Sequence, residues 1–347
     1  MTEVAMRNAL CTIAIVIIVG LVTACASSAS EATVSGITVQ RLGRTGYYKL
    51  VRNPSRGYHF NAYLWIPSEA IRVHRLLVTP NNTGTADDSL ELHDTRAYRA
   101  FTGSWEGRIA EELGAPHLMP VFPRPRTDWQ YYTHSLDSDT LKITSGALRR
   151  LDLQLLAMIN DVREYLGEAH GIRLPGQVLL SGFSASGTFV NRFTVLHPDR
   201  VRAVACGGVN AIPILPVSSY EGTRLPYHIG IADLESITGR EFDLAAWQRV
   251  SQYVYMGELD ANDTTLYDDG FTRAEAALVW DTVGKDMSVR WANCIGVYLA
   301  HTERAQMVTY LGLEHNVVVQ DMVEFLRVNA DDGFSAITPS GPAVVAE

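Results

Sequence analysis

One serine in this chain stands where a backbone turn would make it a nucleophile. Ser184 lies in Gly182-Phe183-Ser184-Ala185-Ser186-Gly187, directly after the apolar run 177–180 and before residues 188–196, whose apolar positions are spaced for a helix that His197-Pro198 ends. A serine between a strand and a helix is held on a sharp, strained turn with its hydroxyl exposed, provided the residues two before and two after it are small. Gly182 and Ser186 satisfy that condition. Centring the turn on Ser186 instead would put Thr188 at a flank, where a β-branched side chain is crowded. A serine hydroxyl attacks a carbonyl only when a neighbouring base takes its proton, so the remaining parts of the site have to come from elsewhere in the chain. Without them, the segment is only a serine-rich turn.

The elements that must position those parts are legible from periodicity. Residues 57–67 alternate apolar with polar in their first half and end at Pro67, as an antiparallel strand with one covered face does. Residues 75–79, 117–122, 177–180 and 201–205 are short, mostly apolar and bounded by Pro, Gly or polar residues, which suits strands buried on both faces. Between them, Leu151, Leu155, Met158, Ile159, Val162 and Leu166 recur at threes and fours, with Asp152, Gln154, Asp161 and Arg163 off that face. Strand alternating with helix predicts an α/β fold: a mostly parallel central sheet, helices on both faces, and ligands at the carboxyl ends of the strands. A length of 347 residues, 47% apolar, fits one large domain with an ample core. A net charge of -9 without a long Lys/Arg run argues against a nucleic-acid partner.

On Gly182-Phe183-Ser184-Ala185-Ser186-Gly187 and its flanks, the chain resembles the α/β-hydrolase superfamily of serine esterases, lipases and related hydrolases, over roughly residues 58–328. It departs from the family pattern in having Ser186 where a second glycine is usual. The resemblance implies an acid after a later strand and a histidine near the end, in the order Ser, Asp, His. Only His301 and His315 follow every candidate acid. His315 stands in a loop-like stretch between the run 306–310 and the helical face of Val318, Val319, Met322, Val323 and Leu326, whereas His301 beside Thr302-Glu303-Arg304 reads as a surface residue. In the family the acid commonly comes three residues after a glycine that ends a strand; here that glycine is Gly257, after 253–256, and the acid is Asp260. Asp263 and Glu258 remain as alternatives, with loop capping as their other role. The oxyanion donors implied are the backbone N–H of Ala185 and one from loop 79–84, with Asn82 chosen ahead of Thr83 and Asn81. Residues 124–132, rich in aromatics, would wall a pocket or cover core; residues 210–249 form a lid-like insertion.

The N-terminus has its own layout: Arg7, an apolar run over 9–22, then small residues. That is the pattern of a secretory signal, and the run is shorter than the roughly 20 residues a membrane span needs. Val22-Thr23-Ala24-Cys25 resembles the bacterial lipobox, which implies cleavage before Cys25 and lipid on its sulfur; plain cleavage or an uncleaved anchor are the alternatives. Ala26 after the cysteine implies the outer membrane, in a cell that has one. The chain divides into a signal (1–24), a tether and N-terminal segment (25–56), a catalytic domain (57–328) and a flexible tail without periodicity (329–347). Cys206 and Cys294 either pair or remain separate buried thiols. No C-x-x-C or H-E-x-x-H spacing supports zinc, and the expected chemistry needs no cofactor. The expectation is an exported, lipid-anchored serine hydrolase acting on small or polymeric esters, with a peptidase or amidase, an acyltransferase and a non-catalytic tethered binding protein as alternatives.

Overall fold

The structure, a computed structural model, describes residues 31–82 and 84–346, so the signal segment, Cys25 and Thr83 lie outside it. The apolar runs without clear alternation become strands covered on both sides. Strands β1 (Glu31–Val34), β2 (Ile37–Arg41), β3 (Tyr47–Leu50) and β4 (Ala62–Trp65) come first, followed by β5 (Leu77–Val78), β6 (His117–Pro120), β7 (Val178–Phe183) and β8 (Val201–Gly207). A small hairpin, β9 (Ser219–Tyr220) and β10 (Thr223–Arg224), precedes β11 (Ser251–Gly257), β12 (Ala305–Tyr310) and β13 (Ala343–Val345). The main sheet has the order β1-β2-β3-β4-β6-β5-β7-β8-β11-β12-β13. From β6 through β12 neighbouring strands are parallel; the pairings at both ends are antiparallel.

Successive side chains on a strand point to opposite faces, and the core divides on that parity. Val178, Leu180, Val204 and Cys206 join the cluster containing α4 (Leu151–His170) and α5 (Ala185–Leu196). Leu179, Ala203, Tyr253 and Tyr255 join the opposite cluster, with α2 (Trp105–Leu113) and α10 (Val319–Val328). Helix α1 (Leu90–Gly103) and the short α3 (Ser138–Leu141) lie between β5 and α4 in the chain. The segment after β8 is mostly loop, carrying the β9–β10 hairpin and the short α6 (Leu234–Thr238) and α7 (Leu244–Trp247). Its Ile212, Leu215, Leu225 and Ile229 share a separate core with Phe271, Val279 and Cys294, from the excursion after β11 that holds α8 (Arg273–Thr282) and α9 (Met287–Leu299). Two long excursions from the carboxyl ends of neighbouring strands therefore pack on each other.

Three expectations change. Residues 31–34 are not tether: they form β1, paired with β2 in the register Ala32↔Val39. The tail is not free either, because β13 pairs antiparallel with β12 and Ser340 N–H donates to Asp321, whose carboxylate also accepts from the Tyr310 hydroxyl. Aperiodic sequence says nothing about backbone pairing on an open sheet edge, which is why periodicity missed both. Thirdly, Asp152, Gln154 and Asp161, off the apolar face of α4, are buried rather than solvated. Asp161 pairs with Arg56 and accepts from the Tyr58 hydroxyl, and Gln154 accepts from His59 N–H, so the N-terminal segment covers that side of the helix. Cys206 and Cys294 are free buried thiols, and burial pushes Cys294 up to about 12.

Asp152 carries a testable consequence. It is fully buried and takes a two-pronged contact from Arg150 at 2.9 and 2.7 Å and a third from His197 at 2.8 Å. Burial alone would raise its carboxyl, but the bonds from His197 and Arg150 outweigh that and bring it down to about 2. A depressed folded-state value stabilises the fold above the ordinary carboxylate range and is lost as pH falls from there toward about 2. Denaturant titration should show that loss in the wild type. Asp152→Asn should cost about 3–5 kcal/mol at neutral pH by leaving a buried cation unpaired, and should flatten the acid dependence.

Candidate active site

Ser184 sits between β7 and α5 with φ 59° and ψ -128°, a conformation side-chain-bearing residues rarely adopt. It is held there by bonds on either side: Ser184 N–H donates to Gly207 O on β8 at 2.9 Å, and Thr188 N–H donates to Ser184 O at 2.9 Å. Gly182 is obligatory, since a Cβ on it would lie 2.3 Å from Ser186 O. The departure at Ser186 also has a use. Its hydroxyl accepts from Phe183 N–H at 3.1 Å and donates to Phe183 O at 2.9 Å, clasping the turn from inside and leaving it fully buried.

The loops after β11 and β12 are laced together by their backbones. Glu258 N–H donates to Tyr310 O at 2.8 Å, Leu259 N–H to Leu313 O at 2.9 Å, and the Glu258 carboxylate accepts from Gly312 N–H at 2.8 Å. This lacing sets Asp260 against His315, with Oδ2 to Nδ1 at 2.8 Å. The Asp260 side chain is 3% exposed and that of His315 27%. Asp260 Oδ1 also accepts Asn262 N–H at 2.9 Å, so both carboxylate oxygens are engaged. The His315 ring rests on Phe183, centroid to centroid 4.6 Å, which places it beside the Ser184 turn. The approach depends on Gly208, where a Cβ would lie 2.8 Å from His315 Cε1. Nε2, the nitrogen a serine would use, faces the Asn262 side-chain amide at 3.3 Å.

The alternatives are placed elsewhere. Asp263 pairs with the buried Arg290 at 2.8 Å and caps the turn at Thr265. Glu258 binds backbone, not the ring. His301 Nδ1 bonds Val297 O at the end of α9. Asn81 is consumed in a ladder-like pair with Phe122, its amide donating to Phe122 O and its oxygen accepting Phe122 N–H, both at 2.9 Å. Asn82 reaches Phe183 O with its side-chain nitrogen at 3.5 Å, so loop 79–84 runs alongside the turn. Ala185 opens α5, where backbone N–H groups have no intrahelical acceptor.

Beside Ser184 is a small pocket with room for about one water (≈ 10 Å³), lined in part by Ala185, Thr188, Tyr132, Asn210 and Phe271. Of the aromatic stretch 124–132, Tyr132 is the part that reaches it, stacked under Arg124 at 4.0 Å, while Trp129 is exposed. Arg124 is itself paired with Asp269. Arg192 also lines the pocket, and sequence reasoning missed it. The signal was available: Ser184, Thr188 and Arg192 recur at four-residue spacing on an otherwise apolar helix. A roomier cleft of ≈ 440 Å³, near Arg44, Trp65 and Gly114, lies at the amino ends of the parallel strands and contains none of these residues. Among the described residues no group of three or more His, Cys, Asp or Glu is placed to hold a metal ion.

No protein-family model and no curated protein sequence matches the chain. Solved structures do. Poly(aspartic acid) hydrolase-1 from Sphingomonas sp. KT-1 is similar at 17% identity and a TM-score of 0.50, over 78% of this chain and 94% of that one. A poly(3-hydroxybutyrate) depolymerase from Bordetella parapertussis gives 16% identity and a TM-score of 0.49, over 81% and 87%. At such identities the likeness is one of architecture, and together with the strand order and the turn at Ser184 it shows that the chain has the α/β-hydrolase fold.

Proposed function

We propose that this protein is a serine hydrolase that cleaves carboxylic esters through an acyl-enzyme at Ser184. The observation that carries the reading is the Asp260–His315 pair at 2.8 Å, set against the ring of the residue that precedes a strained, turn-borne serine. Ser184 Oγ bonds to the substrate carbonyl carbon while His315 Nε2 takes its proton, which requires the Asn262 amide to yield that nitrogen. Asp260 on Nδ1 fixes the tautomer and stabilises the imidazolium. The Ala185 N–H, with a second donor from the loop of Asn82, receives the oxyanion. The ester C–O bond then breaks as His315 returns the proton to the departing alcohol. Water repeats the sequence on the acyl-enzyme, releasing the acid and restoring Ser184. That a solved protein of this fold is named a hydrolase supports the reaction class; ester over amide rests on the family resemblance.

The test is covalent labelling with a fluorophosphonate probe, the modified peptide then being located by mass. Label on Ser184, with turnover in a panel of chromogenic esters exceeding that of matched amides, is the expected result. An unlabelled, inactive but folded protein would favour the tethered binding protein.

Export and lipid attachment at Cys25 belong to the same proposal, motivated by Val22-Thr23-Ala24-Cys25 after an apolar run. Cys25→Ser should release the protein from the membrane fraction or leave the precursor uncut. An intact-mass measurement finding an unmodified mature chain would sink the anchor.

A further inference from the structure

Ser184, Thr188 and Arg192 stand on one face of α5 and line the same small pocket. Arg192 is 2% exposed. Among the described residues its hydrogen bonds run only from Nη1, to Ser135 O at 2.9 Å and Ser135 Oγ at 3.4 Å, and no ion pair includes it. The acids whose fields reach it are committed elsewhere: Asp137 accepts from Thr140 and Tyr132 N–H, and Glu275 caps α8 at Thr272. Burial moreover pushes Asp137 up to about 7, which removes much of its charge. A guanidinium stays protonated even when buried, so this pocket encloses a cation without a matching anion.

Two features say which part of a substrate would supply that anion. A helical side chain leans toward the helix N-terminus, so the guanidinium lies on the Ser184 side of its own backbone position. His315, which must face the leaving group, is not among the residues lining this pocket, so the pocket takes the acyl side. With room for about one water, it admits only a short chain.

Building on the nucleophile reading above, we propose that Arg192 is a specificity residue that binds a free carboxylate on the acyl group, and that the substrates are half-esters of short dicarboxylic acids. The planar guanidinium offers a carboxylate two parallel N–H bonds, a match no neutral acyl chain makes. Hydrolysis of such a half-ester gives the dicarboxylate and an alcohol by the same two acyl-transfer steps, with no added reactant but water.

The experiment compares 4-nitrophenyl hemisuccinate with 4-nitrophenyl butyrate on the full chain, corrected for spontaneous hydrolysis, alongside fluorophosphonate labelling. The wild type should prefer the hemisuccinate in kcat/KM by tenfold or more, on the order of what one charge-assisted contact contributes. Arg192→Met should collapse that ratio by about 100-fold, and Arg192→Lys, which keeps the charge but not the fork, should retain part of it. Free succinate should slow labelling of the wild type more than butyrate does, a readout that needs no variant to fold. Labelling at Ser184 with equal or better turnover of the butyrate ester, or equal protection by the two acids, would overturn the role of Arg192 and leave the nucleophile standing. Absence of labelling would overturn the reading on which it rests, and this inference with it.

Discussion

Ser184→Ala is expected to abolish fluorophosphonate labelling and lower kcat for esters by on the order of a millionfold, leaving what binding and the oxyanion donors provide. The physical reason is local. No other hydroxyl stands on the turn: Ser186 is fully buried and spends its hydroxyl on Phe183 N–H and O, so it cannot substitute as nucleophile. His315→Ala should do comparable damage, because the hydroxyl of Ser184 is a weak nucleophile without a base. The double variant should be little worse than either, since groups that act on one proton transfer are not additive. The measurement is single-turnover and steady-state kinetics on protein shown to be folded. Near wild-type turnover by Ser184→Ala would remove the mechanism entirely.

Asp260→Asn is expected to lower kcat by about ten-thousandfold with the fold intact, because an amide in that place can hold the imidazole in the wrong tautomer. Asp263→Asn should act differently. Its carboxylate neutralises Arg290, which is fully buried and also binds Asn210 O, so the loss should appear in thermal stability and only secondarily in rate. Measuring kcat and Tm on both variants separates the two roles. A larger rate loss at Asp263 than at Asp260 would transfer the assignment.

How much of this was legible beforehand depends on whether a residue's role is set by its neighbours in the chain or across space. The turn at Ser184 was legible because strand, small residue, serine, small residue and helix are consecutive. The helical face of α4 and the doubly buried strands were legible because periodicity is local. Asp260 and His315 were reachable only through the order a family resemblance implies; nothing in 55 intervening positions indicates that the two loops are backbone-laced.

By itself the sequence determined an α/β sheet with its ligand edge, and the position of one serine on a strained turn, since both follow from local steric rules and hydrophobic pattern. Only the tertiary structure decided that Asp263 belongs to Arg290, that residues 31–34 and the C-terminal stretch extend the sheet, and that Arg192 faces the Ser184 pocket without a counter-ion. These are matters of charge and backbone pairing between segments far apart in the chain. A carboxylate or an open strand edge carries no local mark of its partner, and burial, which gives an unpaired charge its consequence, exists only after the chain has closed around it.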